Sequence, residues 1–264
     1  TAFKLGKILK EAGLPEGVFN IVVGSGATVG NWLVTDPRPV MVTFTGSPGV
    51  GEAITRVAGL KKITLELGNN GGTIVEPDSD WQAAVPRCVM SAFANSGQIC
   101  LSLQRLYVHQ DIMKSFTKAF VKTTSKLKVT NPIEKDCDVG PMISEEEAER
   151  AQNWVKEAVQ QGAKVLLGGK RKGPVLEPTI LANATPEMKI ICQEVFAPIV
   201  SIVAYKDFDE ALALLADSAY GLQAGIYTSN IGKVLKAIKK VDVGGLIIND
   251  TSIFRVDHMP YGGN

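Results

Sequence analysis

Apolar residues at the start of the chain recur at helical spacing, with Phe3, Leu5, Ile8 and Leu9 on one face and a stop at Gly13 followed by Pro15. The period then changes. Val18 to Val23 is a short continuous apolar run ending in Gly24-Ser25-Gly26, which reads as a strand and a tight turn, and Val29, Trp32 and Leu33 continue as a helix. The order then repeats. Val40 to Phe44 is a second run, Gly46-Ser47-Pro48-Gly49-Val50-Gly51 a second glycine-rich turn, the residues through Ala58 a second helix, and Ile63 to Leu67 a third strand.

Downstream, the pattern predicts helices over Trp81 to Ala94, Met113 to Leu127 and Ser144 to Gln161, with a strand at Arg105 to His109. Ser144 followed by Glu147 makes a capping box for the third of these helices. Strand signals return at Val165 to Leu167, Val200 to Tyr205, Gly225 to Tyr227 and Leu246 to Asn249, with helices at Phe208 to Ala216 and Ile231 to Lys239. Strands alternating with helices of this length imply βαβ units, and so an α/β fold with a mostly parallel sheet covered on both faces. Asn131 to Pro141, rich in turn formers, reads as a long connection.

Composition narrows the function classes. A chain of 264 residues, 45% apolar and 21% charged with a formal charge of +1, has the make-up of a globular protein of one large or two medium domains. Such a balance gives no support to nucleic acid or an anionic membrane as partner. No apolar stretch approaches the roughly 20 residues of a membrane span, and Thr1-Ala2-Phe3-Lys4 carries no signal-peptide pattern, so the expected compartment is the cytoplasm. The four cysteines, Cys88, Cys100, Cys137 and Cys192, are too widely spaced for a CxxC motif and read as single thiols.

Several residues stand out for their chemistry. A glycine-rich turn between strand and helix suits an anion, because the backbone can approach closely and the helix offers free N–H groups. Gly24-Ser25-Gly26-Ala27-Thr28-Val29-Gly30 misses the dinucleotide fingerprint by one position, and two tight turns without a ligand account for the pattern equally well. Cys100 ends the stretch Phe93 to Cys100, where a helix gives way to small and polar residues before a strand; it is either an exposed reactive thiol or a buried structural one. Glu66, flanked by Leu65 and Leu67 near the end of a strand, is either a general base at a cleft or an edge glutamate in water. Neither His109 nor His258 has a metal-ligand cluster around it, so no metal is expected, and no G-x-S-x-G elbow supports a serine hydrolase.

Together these segments resemble the aldehyde dehydrogenase superfamily, in the family's order and over nearly the whole chain. The carriers are Phe44-Thr45-Gly46-Ser47-x-x-x-Gly51, Leu65-Glu66-Leu67-Gly68, and Phe93-x-x-x-Gly97-Gln98-x-Cys100. Gly140-Pro141-Met142-Ile143, Glu194-Val195-Phe196-Ala197-Pro198, Tyr220-Gly221-Leu222, Ile248-Asn249 and Pro260-Tyr261-Gly262-Gly263 follow. The resemblance implies that Cys100 attacks an aldehyde, that hydride passes to NAD or NADP, and that Glu66 activates the water that cleaves the thioester. It implies Gly46, Ser47 and Gly51, with Gly24, for the cofactor's pyrophosphate side, Glu194 for the nicotinamide ribose, and Phe196 and Leu67 beside the nicotinamide. Phe254, Ile99 and Leu101 would line the substrate tunnel. By the same resemblance, residues 1–67 are the second half of a Rossmann-type dinucleotide-binding domain, 68–249 a separate α/β catalytic domain, and 250–264 a segment returning toward the cofactor domain.

The sequence departs from the family at several points. Asn69 stands where a second glycine is usual, Ala197 replaces a glycine after the ribose-binding element, Ala94 replaces an aromatic and so implies a wider tunnel, and Ile99 stands where phosphate-using relatives carry arginine. Phe254 to Pro260 is similar to the tail of the lactaldehyde and succinic-semialdehyde branch. Thr1 begins after the family's adenine-ribose contacts and its oxyanion-hole asparagine, a donor worth ~3 kcal/mol in the transition state. Asn264 stops before the tail that builds a homo-oligomer. The chain as given is therefore expected to be a poor catalyst. A branch that passes the acyl group to coenzyme A generally lacks the glutamate base, so Glu66 argues against it; a non-catalytic binding relative is disfavoured by the presence of both Cys100 and Glu66.

Overall fold

The computed structural model describes residues 1–264, which divide into two compact units, Thr1–Leu67 and Gly68–Asn264. The first holds helices α1 (Ala2–Glu11) and α2 (Asn31–Thr35), strand β1 (Met41–Thr45), helix α3 (Pro48–Val57) and strand β2 (Lys62–Glu66). Strands β1 and β2 pair in parallel from Met41 with Lys62 to Thr45 with Glu66, and Val34, Ile54 and Ala58 are buried against them together with Phe44 and Ile63. One expectation fails here. Val18 to Val23 is not a strand but irregular backbone with Val18, Val22 and Val23 exposed. A strand needs a neighbour's N–H and C=O groups, and within this unit only β1 and β2 pair.

The second unit begins with β3 (Gly72–Val75), α4 (Trp81–Phe93), β4 (Arg105–His109), α5 (Gln110–Thr124) and α6 (Glu145–Gln160). It continues through β5 (Lys164–Leu167), the short hairpin β6 (Arg171–Lys172) and β7 (Val175–Leu176), β8 (Thr179–Ala182) and α7 (Lys189–Cys192). The last elements are β9 (Ile199–Tyr205), α8 (Phe208–Ala216), β10 (Gln223–Tyr227), α9 (Ile231–Lys240) and β11 (Gly245–Ile248). Seven of these strands form one sheet in the order β11-β10-β3-β4-β9-β8-β5, parallel except where β5 meets β8.

The expected α/β class holds, and strand periodicity explains how both faces are covered. Along β4, Leu106 and Val108 enter the core under α4 and α5 with Phe116 and Phe120, while Tyr107 between them joins Tyr205, Leu212, Leu215 and Ala237 under α8 and α9. Helix starts are fixed by side-chain caps: Asp80 accepts from Ala83 N–H, Ser144 from Glu147, Asp207 from Glu210, and Asn230 from Gly232. The Ser144 capping box is half made, because Glu147 turns its carboxylate to Arg150 at 2.7 Å.

Two buried polar groups bind the sheet to its surroundings. Arg105 sends its guanidinium to the carbonyls of Leu214, Leu215 and Asp217, the unpaired acceptors at the end of α8, and to Asn70. Glu76, at the C-terminal end of β3, receives the Tyr205 hydroxyl at 2.5 Å and pairs with Lys233. Residues 250–264, read from the sequence as a return toward the cofactor domain, are bonded into the second unit: Gln223 donates to the carbonyls of Ser252 and Phe254, and Asn264 N–H to Gly221. No helix is long and apolar enough to cross a membrane.

Candidate active site

The chemistry-bearing residues of the second unit lie at the N-terminal ends of its parallel strands. Gly68 to Gly71 lead into β3, Cys100 to Gln104 into β4, and Glu194 to Pro198 into β9. Cys100 is placed by a reversal directly after α4. Asn95, Ser96 and Gly97 all take left-handed backbone angles, with φ of 49°, 57° and 69°. Three in succession turn the chain back on itself. Ser96 Oγ both donates to the Gly140 carbonyl (2.9 Å) and accepts its N–H (3.1 Å), and Gln98 Oε1 accepts Ile143 N–H at 2.8 Å. At Gly97 a Cβ would run into the Ala197 carbonyl, so this position combines a glycine angle with a glycine contact. Ser102 then ties the loop to the last turn of α4 through the carbonyls of Ser91 and Ala92.

Cys100 emerges half-buried, with Sγ 3.2 Å from the Tyr261 hydroxyl. Of the other thiols, Cys88 is fully buried in the core under α4, which pushes its titration far up, and Cys192 is exposed. Leu101 faces the interior, 5% exposed, while Phe254 lies at the surface of the 250–264 segment.

Ile99, Glu194 and Phe196 share a cavity of about 10 Å³ with Asn69, Ser102 and Gln104. Glu194 Oε1 accepts the Asn69 N–H at 2.9 Å, and Gly68 presents its bare Cα to the same carboxylate. Burial raises the Glu194 carboxyl above its ordinary range, against the opposing pull of the Asn69 N–H and the Arg150 charge. Of the residues that depart from the family pattern, Asn69 is buried and donates its amide to the Gln223 carbonyl, and Ala197 is buried. The left-handed angle of this element falls on Phe196 (φ 48°), not on Ala197.

Two further residues place the site and were not singled out in the sequence. Gln104, 5% exposed, donates to the carbonyls of Ile190 and Gln193 and accepts Val195 N–H at 2.9 Å. Asn70 donates to the Ile191 carbonyl and receives the Ser218 hydroxyl. Gln104 thus brackets Glu194, and Asn70 holds the residues that precede it. The only sequence signal was a polar residue set among core positions, Gln104 between Leu103 and Leu106.

The first unit holds the other candidates. Glu66 ends β2, half-buried, with its carbonyl accepting Gly46 N–H at 3.0 Å. The turn between β1 and α3 leads through Gly46 and Ser47 into the N-terminus of a ten-residue helix. A Cβ at Gly46 would strike the Phe44 ring and one at Gly51 the Leu67 side chain, while Ser47, the N-cap of α3, spends no side-chain hydrogen bond on that cap. An uncommitted Ser47 hydroxyl at a helix N-terminus is compatible with an anion such as a pyrophosphate. Gly24 does not stand at a strand-to-helix turn, since no strand precedes it; its open face is covered by Val29.

A sequence model described as the aldehyde dehydrogenase family matches residues 1–264. The 3-sulfolactaldehyde dehydrogenase of Priestia aryabhattai is 50% identical over 99% of the chain and 55% of its own length. Among solved structures, a glyceraldehyde-3-phosphate dehydrogenase of Methanocaldococcus jannaschii complexed with NADP superposes with a TM-score of 0.96 at 39% identity, covering 100% of this chain and 58% of that one. Aldehyde dehydrogenase 21 of Physcomitrella patens, in complex with the reaction product succinate, gives 0.94 at 40% identity, over 100% and 55%. The chain thus spans somewhat more than half the length of the proteins it matches.

Proposed function

This chain belongs to the aldehyde dehydrogenase family, and from that premise we propose that the protein oxidises a small aldehyde to its carboxylic acid with NAD or NADP, through a thioester on Cys100. The observation that carries the reading is the convergence of the Cys100 loop with the Glu194–Phe196 segment at the N-terminal ends of the adjacent strands β4 and β9, where Ile99, Glu194 and Phe196 wall a common cavity.

Cys100 Sγ forms a bond to the carbonyl carbon while the carbonyl electron pair moves to oxygen. The dinucleotide, when bound, accepts the hydride that leaves that carbon. The residues that would hold it are Gly46, Ser47 and Gly51 at the start of α3 for the phosphates and Glu194 for the ribose, with Phe196 and Leu67 for the ring. Glu66 then takes a proton from water as the water oxygen attacks the thioester carbon, and Cys100 leaves as thiolate.

Three of the similar proteins are named for, or crystallised with, an acidic compound (a sulfonate, a phosphate or a carboxylate), while others are named for uncharged lactaldehyde or cationic betaine aldehyde; of these classes we propose an acidic tail for this substrate. Arg255 supports that choice: its guanidinium lies 4.9 Å over the Tyr261 ring, whose hydroxyl touches the nucleophile, and an acidic tail would compete there with the exposed Asp257 carboxylate, which it pairs with at 3.1 Å.

The test is made in the enzyme restored to the length of its relatives. Cys100→Ala is expected to abolish both the burst of reduced cofactor and steady turnover. Glu66→Gln is expected to keep a burst near one per site and to slow deacylation by roughly 10² to 10⁴-fold, with a trapped acyl-enzyme visible by mass. A burst slowed as much as the steady state, with no acyl-enzyme, would withdraw the role given to Glu66.

A further inference from the structure

We propose that Tyr261 is a catalytic residue of this site, its phenol hydroxyl donating a hydrogen bond to the Cys100 thiolate and so increasing the nucleophile's ionised share near neutral pH. The inference rests on the reading of Cys100 as nucleophile. The two atoms lie 3.2 Å apart. With a neutral thiol either group can donate, but once the proton has left the sulfur only the hydroxyl can, and a hydrogen bond made to the charged form favours that form. No proton moves from tyrosine in this role.

The surroundings give the hydroxyl work that packing alone does not. Ser102 returns the nucleophile's loop onto the C-terminal carbonyls of α4, the negative end of that helix, which offers an anion nothing. Tyr261 sits on a backbone fixed by Asn264 N–H to Gly221 and by the close seating of Gly262 against Gly244. Charged and titratable groups on or next to the elements that carry the pair include Arg255, Asp257 and the exposed His258 on the Tyr261 segment, and Glu194, which shares a cavity with Ile99. Of these Arg255 lies over the ring while pairing with Asp257 at 3.1 Å, and the cation, partly offset by that carboxylate, favours the phenol O–H as a donor. A phenylalanine would fill the same space, so the hydroxyl is separable from the ring.

A hydrogen-bonded thiolate is more abundant but less nucleophilic, and its reactivity falls with an exponent of only about 0.4–0.5 as its basicity falls. Abundance therefore wins below the thiol's titration and reactivity wins above it. The experiment is alkylation of the 264-residue chain with iodoacetamide from about pH 5 to about pH 10, followed thiol by thiol by peptide mass, with exposed Cys192 as the internal reference. Tyr261→Phe is expected to slow Cys100 alkylation about 3- to 10-fold at neutral pH, and to make it equal to or about threefold faster than the parent at the alkaline end, so that the two profiles cross. Arg255→Gln, which keeps the hydroxyl, is expected to move the profile the same way by less. Superimposable profiles, or a Tyr261→Phe rate lowered by one factor at every pH, would overturn the role of the hydroxyl. A parent chain whose Cys100 reacts no faster than Cys192 at neutral pH would instead overturn the nucleophile assignment and the inference with it.

Discussion

The backbone N–H of Asn69 donates to a carboxylate oxygen of Glu194 at 2.9 Å, across a separation of 125 residues. The bond joins the turn that follows Leu67 to the segment that enters β9. Main chain supplies the donor, so the residue type at 69 is free to vary as long as the turn is kept, and here a buried asparagine occupies it by giving its own amide to Gln223. The glycine that matters for this contact is Gly68, whose bare Cα faces the carboxylate.

The raised titration of Glu194 has a signature in stability. Its native carboxyl, held above the ordinary range chiefly by burial, keeps a proton that the unfolded chain has lost, so its contribution to stability declines as pH rises from the normal carboxylate value through the raised native one. Glu194→Gln has no such titration. Urea midpoints between about pH 4 and pH 7 are expected to shift in the variant's favour as pH rises. A shift in the parent's favour would mean that Asn69 and Arg150 stabilise the carboxylate more than burial opposes it.

Gln104→Leu keeps the volume and removes the amide that serves Ile190, Gln193 and Val195. Two buried backbone groups, at Ile190 and Val195, and one part-buried group, at Gln193, lose their partner, and the expected cost is about 2–4 kcal/mol in denaturant unfolding. Hydrogen exchange at Val195 is expected to speed up more than at β3 or β4. Equal protection in parent and variant would show that the 190–195 segment is held by other means.

Gly97→Ala adds a methyl group where the backbone is left-handed and the Ala197 carbonyl is in contact. The expected loss is about 2–3 kcal/mol, with Cys100 alkylation altered because the reversal that aims it has moved. A variant with the parent's melting temperature and thiol reactivity would refute the claim that this turn positions the nucleophile.

Cys192, although two residues from Glu194, is exposed and hydrogen-bonded only loosely to the Glu187 carbonyl at 3.8 Å. Cys192→Ser is expected to change stability by less than about 0.5 kcal/mol and to leave turnover of the full-length enzyme intact. A folded, cofactor-binding variant without activity would contradict this.

The sequence was most legible where structure is local. Arg105 to His109 and Phe208 to Ala216 fall on the residues their periodicity indicated, and other helix and strand limits moved by one to three residues. Short buried strands were invisible: Gly72–Val75 opens on glycine and Thr179–Ala182 is four residues long, and each becomes a strand only because β4 or β9 lies alongside. The reverse error at Val18 to Val23 has the same cause, β potential without a partner. The site followed the same rule. Motifs pointed to Cys100, Glu66 and Glu194, but Gln104, Asn70 and Tyr261 earn their places through partners 86 or more residues away for Gln104, 121 for Asn70 and 161 for Tyr261, and spacing along the chain carries none of that.

The neighbours Gln104 and Arg105 reach opposite ways from the start of β4, one to the 190–195 segment and the other to the end of α8. Successive residues of a strand face opposite sides, so a slip of one position would exchange them. The guanidinium would then be buried against Val195 N–H, donor against donor, and the amide would be too short to reach three carbonyls at the helix end. Central strands of parallel sheets are rich in apolar residues that tolerate many alignments. Here an adjacent amide and cation act as a two-sided key, which makes the misaligned sheet a high-energy state during folding and leaves the loop bearing Cys100 only one frame in which to close.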